Sequence, residues 1–265
     1  MHSSNSHSKS VFLFLTDRQS DAVLNTFVHL REVVQSSNNR ACILFHQKES
    51  TLCSRLKELA PFVFTYRSLL NLNYMPIVMD IVPGSNHFPV LQFFLEYPGY
   101  DYYWVLEDDV RYAGDWKIFF DHFKVYDHDF ISSHLRTFSQ EPAWIWWKFL
   151  SHPREEISFN KRIRSFNPIY RISGNALHFI HISLLNKWVG HHEVLFPTLL
   201  HQNGFKVLDF GGQGNFVNPG DENKFYTSST SDPNGSLNEG TMRFRPVWQY
   251  PGEEKNKLYH PIKAT

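Results

Sequence analysis

Three consecutive carboxylates, Glu107, Asp108 and Asp109, follow the apolar stretch Tyr102-Tyr-Trp-Val-Leu106 and precede a turn at Gly114. Adjacent acids repel unless a cation is shared among them, and hard divalent ions such as Mg2+ and Mn2+ take carboxylate oxygens as ligands. An aromatic-rich apolar run bounded by turn residues reads as a buried strand, with the acids at its carboxyl end. Side chains alternate along a strand, so Glu107 and Asp109 project to one side and Asp108 to the other. Only the outer pair can face a common ion without a bend. A solvated acidic turn capping a core strand is the competing reading. The position favours the first, because open α/β sheets bind ligands beyond the carboxyl ends of their strands.

Other residues could complete such a site. Glu193 stands in His191-His-Glu-Val-Leu-Phe-Pro197, and Gly204 follows. Proline is tolerated in the first helical turn and glycine ends helices, which puts Glu193 at or just before a helix start. The helix dipole favours its charged form there, whether it caps the helix or accepts a proton. Ser173, Gly174 and Asn175 open another helical pattern, which continues through Leu177, Ile180, His181, Leu184 and Trp188. Gly174 would let a backbone approach a ligand, with donors and acceptors from Ser173 and Asn175. His178 and His181 lack a third ligand nearby and read as one buried and one surface imidazole. Near the end, Lys257-Leu-Tyr-His-Pro-Ile-Lys263 offers an imidazole, His260, and a point charge, Lys263. Trp144, Trp146 and Trp147 are either core or a stacking platform for a sugar or a lipid carrier. Arg154, Lys161, Arg162 and Arg164 form a basic segment, either a solvated loop or a contact for a diphosphate or an anionic membrane.

These residues need a frame, and the first half of the chain supplies one. Val11-Phe-Leu-Phe-Leu15 predicts a buried strand, followed by a helix through Asp21, Val23, Leu24, Phe27, Leu30 and Val34. Strands over 41–45 and 62–65, a short helix over 52–59 and a helix over 88–97 continue the alternation. Such alternation predicts an α/β fold with a Rossmann-type, mostly parallel central sheet flanked by helices. Thr16 and Asp17 then lie at the turn after the first strand, where Asp17 could equally cap the helix. The second half is less regular. The glycines at 211, 212 and 214 are followed by no helical pattern, which excludes a dinucleotide fingerprint, and 227–240 reads as a loop able to close over a ligand.

Composition narrows the function classes. The 265 residues suffice for one large domain, expected over 11–265 behind a flexible tail at 1–10. With 42% hydrophobic and 20% charged residues the chain is a folded globule, and with 24 Phe, 12 Tyr and 7 Trp most rings must be core. Lys plus Arg equals Asp plus Glu at 26 each, so no global basic field attracts nucleic acid. Cys42 and Cys53 form neither a zinc pattern nor a disulfide framework, in keeping with a reducing compartment. The first ten residues lack a signal-peptide core, and no stretch reaches the ~18 apolar residues of a membrane span. A cytoplasmic location follows as the expectation, with peripheral contact at a membrane's inner face allowed.

The acidic segment resembles the metal-binding motif of nucleotide-sugar glycosyltransferases with the GT-A fold, a Glu-Asp-Asp variant of Asp-any-Asp. The resemblance implies a nucleotide-binding half over about 11–115 and an acceptor-binding half over about 116–265. It implies that Asp109 is the principal ligand of Mn2+ or Mg2+, assisted by Glu107 and by a late imidazole, His260. Thr16, Asp17, Glu107, Asp108, Gly174, Asn175 and Lys263 would contact the donor, a UDP-sugar or related nucleoside diphosphate sugar. Glu193 resembles the base that deprotonates the acceptor in inverting members; His260 with Lys263 resembles an arrangement of retaining ones. The acceptor would be a glycan or a lipid-linked molecule. Two other classes fit parts of the pattern: a noncatalytic carbohydrate-binding protein would account for the aromatics alone, and a sugar-1-phosphate nucleotidyltransferase would share the architecture. The latter needs a glycine-rich basic loop after the first strand, and Thr16 to Asp21 is not one.

Overall fold

Ser10–Thr16 (β1) buries both of its faces: Val11 and Leu13 join one hydrophobic cluster, Phe12 and Phe14 another. A strand covered on both sides reads as a continuous apolar run, and that is what the sequence shows here. The computed structural model describes residues 8–35, 38–48, 51–78, 84–228 and 237–263. After β1 come helix α1 (Asp21–Val34), β2 (Asn39–His46), α2 (Ser54–Glu58), β3 (Phe62–Phe64), α3 (Tyr66–Leu70), α4 (His87–Glu96) and β4 (Tyr102–Glu107). The chain continues through β5 (Arg111–Tyr112), α5 (Trp116–Lys124), β6 (Phe130–Thr137), β7 (Leu150–Ser151) and β8 (Ile163–Ser173). It ends with α6 (Gly174–Leu185), β9 (Val189–Gly190), α7 (His192–Gln202), β10 (Val207–Asp209) and β11 (Leu258–Tyr259).

Among the described residues, seven strands form one sheet in the order β10-β6-β8-β4-β1-β2-β3. All neighbours are parallel except β8, which runs antiparallel to both β4 and β6. The fold is therefore α/β with a mostly parallel central sheet and helices on both faces. One face packs against α4, α6 and α7, the other against α1 and α5. No helix among the described residues is long and apolar enough to cross a membrane.

The elements expected over residues 11–97 form within a few residues of their predicted ends. Of the expected tail at 1–10, residues 1–7 lie outside the described residues. Lys9 and Ser10 are tied in: the Lys9 amide donates to Asp101 (2.7 Å) and Ser10 opens β1. Most of the loop expected at 227–240, residues 229–236, also lies outside the described residues.

The long strand β8 is the main departure from the sequence reading. Every one of its residues is buried, yet it carries Arg164, Asn167, Pro168 and Arg171, so neither alternation nor an apolar run announces it. Pro168 sits where the pairing with β6 shifts register and just beyond the last residue paired with β4, a position that spares the ladder a donor. Of the expected basic segment, Arg154 and Lys161 stay exposed, whereas Arg162 and Arg164 fold inward at the start of β8. Arg162 donates to the Ile157 and Trp147 carbonyls and Arg164 pairs with Glu141, so neither is a solvated loop charge.

Candidate active site

Strand parity sorts the three acids. Tyr103 and Val105 face the α4–α7 side of the sheet and Trp104 and Leu106 the α1–α5 side. Glu107 continues the first series and Asp108 the second. Asp108 is held by Arg18, which donates Nε–H and Nη2–H to its two oxygens at 2.8 and 2.6 Å, and by the Thr16 hydroxyl. Glu107 instead accepts from Asn86 Nδ2 (2.9 Å), at the start of α4. Asp109 lies beyond the strand end, buried, and faces the same way as Glu107.

The C-terminal segment brings the third member. β11 pairs antiparallel with β5, Tyr259 opposite Arg111, and the Ile262 amide donates to the Asp109 carbonyl (2.8 Å). His260 Nδ1 lies 2.8 Å from the Arg243 carbonyl, a contact in which the ring must donate. That fixes the proton on Nδ1 and turns Nε2 toward the acids, 3.3 Å from Asp109 and 3.8 Å from Glu107. Lys263 Nζ pairs with Asp109 Oδ2 at 2.7 Å. One ligand atom each from Glu107, Asp109 and His260 lies within 4.8 Å of the others; among the described residues no other such group forms.

Two carboxylates and an imidazole are a donor set that can hold a divalent metal ion. Asp109 Oδ1 adds an observation specific to this site: it is buried, faces the other two groups, and meets only His260 Nε2 at 3.3 Å, outside hydrogen-bond geometry. A buried carboxylate oxygen is costly unless a cation shares it, here the imidazolium or a bound ion in its place. Without an ion, the charges answer one another. Burial and the neighbouring Asp109 push Glu107 up to about 7. Burial also opposes ionisation of Asp109, but His260 and Lys263 outweigh it and hold that carboxyl below its usual range. His260 is raised, the two acids overcoming the penalty of burial.

A cavity of about 550 Å3 opens beside this group, within the size range of small-molecule sites. Glu193 lines it from the second position of α7, where its Oε1 accepts from the Asn167 amide (3.2 Å) and its own amide donates to His191 Nδ1 (3.3 Å). Burial pushes the Glu193 carboxyl up to about 7, with Arg164 pulling the other way. A group that titrates there can exchange a proton near neutral pH. The His191 and His192 imidazoles behind it are held neutral: burial, with Arg164 adding to it, lowers His191 to about 4, and burial drives His192 well below its usual value.

α7 starts beside Glu193 and ends just before Gly204 as expected, but Pro197 is its sixth residue and so lies past the first turn, where the sequence reading places it. A proline at that position frees the carbonyl of Glu193, four residues back, and the Ser165 hydroxyl of β8 donates to it (3.3 Å). Proline thus fits inside the helix because the neighbouring strand satisfies what it leaves open.

The structure brings Glu107, Asp109, His260, Lys263 and Glu193 to one cavity. Thr16 and Asp17 share the carboxyl edge of the sheet but do not line it; Thr16 holds Asp108, and Asp17 pairs with Lys48 at 2.5 Å. Asp108 therefore points away from the ion-ready pair. Gly174 and Asn175 are a correction. Because β8 is antiparallel, its end and the start of α6 fall at the opposite edge of the sheet, where the Gly174 amide donates to the Asp101 carbonyl at the beginning of β4. His178 is exposed, and the partly buried His181 contacts the Tyr74 hydroxyl at 2.5 Å.

Sequence reading missed Asn86 and Asn167 and named Arg164 only within the basic segment; all three line the cavity. Asn86 carried a readable signal, a polar residue just before a helix, whereas Arg164 and Asn167 depend on the unrecognised strand β8.

A family model described as a protein of unknown function, DUF3405, matches residues 62–130, which include the acidic end of β4. No curated protein matches the chain. Among solved structures, one is a protein of Bacillus anthracis described as a glucose-1-phosphate thymidylyltransferase, in complex with sucrose; it is 10% identical over 77% of this chain and 87% of its own, with a TM-score of 0.41. The inositol-1-phosphate CTP transferase of T. maritima is 8% identical over 82% and 92%, with a TM-score of 0.42. A glycosyltransferase involved in glycosylation of the major capsid of PBCV-1 is 10% identical over 68% of each chain, with a TM-score of 0.33.

Proposed function

We propose that the protein is a metal-dependent glycosyltransferase that moves a sugar from a nucleoside diphosphate donor, a UDP-sugar foremost, to a hydroxyl acceptor. The observation that carries this reading is the convergence of Glu107, Asp109 and His260 at the mouth of the central strand, in the same cavity as a buried Glu193 that titrates near 7. A bound Mg2+ or Mn2+ would supply a counter-charge for the departing diphosphate. Glu107, Asp109 and His260 would hold it, with Asp109 Oδ1 the principal ligand atom.

The remaining steps belong to the chain's own residues. Lys263, half-exposed at the cavity rim and already beside Asp109, adds a point charge toward the phosphates. The acceptor oxygen attacks the anomeric carbon as the bond from that carbon to the phosphate oxygen breaks. The bonding pair leaves with the nucleoside diphosphate, and the acceptor proton passes to the Glu193 carboxylate. Asn167 and His191 hold Glu193 in place for that transfer.

The test is a screen of UDP- and GDP-sugars for Mn2+-dependent donor hydrolysis, with pyrophosphate release from nucleoside triphosphate plus sugar-1-phosphate measured in parallel. Hydrolysis that disappears in Asp109→Ala supports the reading. Pyrophosphate release instead marks a nucleotidyltransferase, and metal-independent sugar binding without nucleotide affinity marks a carbohydrate-binding protein; either result overturns it.

A further inference from the structure

Beyond the acids, the cavity has an aromatic side. Trp144 and Trp147 are core residues, but Trp146 between them is only half-buried, lines the cavity, and stacks on His191 with ring centroids 4.7 Å apart and planes 24° from parallel. His191 Nδ1 is in turn 3.7 Å from Glu193 Oε2. An apolar slab therefore stands directly beside the carboxylate to which the reaction assigns the acceptor proton. His191 is neutral for the reason given above, so the slab carries no charge.

Inside the cavity the charges are largely answered: Lys263 pairs with Asp109, and Arg245 stays at the exposed rim with its Nη1 on the Phe244 carbonyl. Arg164 lies 4.2 Å over the Trp144 ring, donates to Glu141 at 2.8 Å, and faces Glu193 as well. An anionic acceptor would find this cation shared between two carboxylates and would meet Glu107, Asp109 and Glu193 besides. A neutral molecule escapes that repulsion. It must still offer an apolar face to the ring and a hydroxyl to the acid at its edge. A sugar ring has both, because its axial C–H bonds make one face apolar and positive against an aromatic quadrupole while its hydroxyls radiate from the rim. A lipid chain would leave Arg164, Asn167 and Glu193 facing hydrocarbon, which is unfavourable for buried polar groups.

We propose that Trp146 and His191 form the acceptor subsite and take the C–H face of a neutral sugar ring, so that the acceptor is an uncharged glycan whose hydroxyl is presented to Glu193. This rests on the transferase reading for the role of Glu193, but the binding itself can be tested without turnover.

The experiment is saturation-transfer NMR with methyl β-D-glucoside, methyl β-D-galactoside and methyl α-D-mannoside in turn, in the presence of Mn2+ and UDP. At least one glycoside is expected to show saturation concentrated on the C–H protons of one ring face. Trp146→Leu, which keeps apolar bulk without an aromatic face, should weaken its binding by roughly 3- to 10-fold, the scale of an aromatic contact, and Trp146→Phe should restore most of it. In turnover the same loss should appear in the acceptor KM more than in kcat. Unchanged saturation in Trp146→Leu overturns the proposal, as does absence of any glycoside signal while phosphatidylserine vesicles bind. If glycosides bind through Trp146 but neither UDP nor GDP binds, the subsite stands and the transferase reading fails.

Discussion

Glu193 and Asp109 are both buried carboxylates with opposite shifts, and the difference is one of company. Asp109 has two cationic neighbours within hydrogen-bonding range, while Glu193 has one more distant guanidinium and a single amide. Transfer should therefore rise with pH through about 7 as Glu193 loses its proton, and Glu193→Gln should lower turnover by roughly 10²- to 10⁴-fold while keeping donor affinity. Steady-state rates across pH 5–9 with a separate measurement of UDP binding check both. Stability should run the other way. Below the ordinary value of 4.5 the group is protonated folded and unfolded; between 4.5 and 7 the folded state keeps a proton the unfolded state has lost, so stability falls as pH rises, and above 7 the loss is complete. Over about 2.5 units this is on the order of 3 kcal/mol. Glu193→Gln, with nothing to ionise, should thus gain stability relative to the parent at pH 8 and none at pH 4 in urea unfolding. Equal stabilities at pH 8 would mean the burial of this carboxylate costs nothing.

At the scale of elements, what could be read depended on the neighbours each segment has. β1 and β4 are covered by apolar helices on both faces, so their apolar runs and the acids at the end of β4 were visible from residue types alone. β8 is just as buried, but it spends its side chains on other tasks. Arg171 donates to the Phe123, Tyr126 and His128 carbonyls, and Ser165 takes the carbonyl freed by Pro197. Its sequence consequently carries no strand period, and its reversed direction removed Gly174 and Asn175 from the site. Gly174 is glycine for packing: a Cβ there would lie 2.9 Å from the Tyr100 carbonyl oxygen, backbone that cannot swing aside. Gly174→Ala should lower the urea midpoint by the equivalent of about 1–3 kcal/mol, the range for overpacking, without changing UDP affinity. Loss of nucleotide binding with stability intact would restore the sequence expectation that this glycine contacts ligand.

The molecule as a whole was legible as a layered α/β fold because the first half alternates cleanly, yet its candidate site is assembled from the middle and the C-terminal part of the chain. Glu107 and Asp109 come from the middle of the chain, Glu193 from α7, and His260 and Lys263 from the last described residues, docked through β11 on β5. The sheet gives no seam between a nucleotide half and an acceptor half, since β8 pairs with β4 from one and β6 from the other. Residues 11–263 should therefore melt in one calorimetric transition with equal calorimetric and van't Hoff enthalpies. An ion and nucleotide bound at the junction of these segments would favour the folded state by about 2.7 kcal/mol at a hundredfold excess over Kd. At about 2–4 °C per kcal/mol for a chain of this size, Mn2+ with UDP should raise Tm by roughly 5–10 °C. Asp109→Asn should abolish the shift because it removes one of the only two carboxylates among the described residues that, with His260, converge on the ion's position. A shift of the same size in that variant would place the ion elsewhere, and two separated transitions would show that the C-terminal segment closes the site without being part of the cooperative fold.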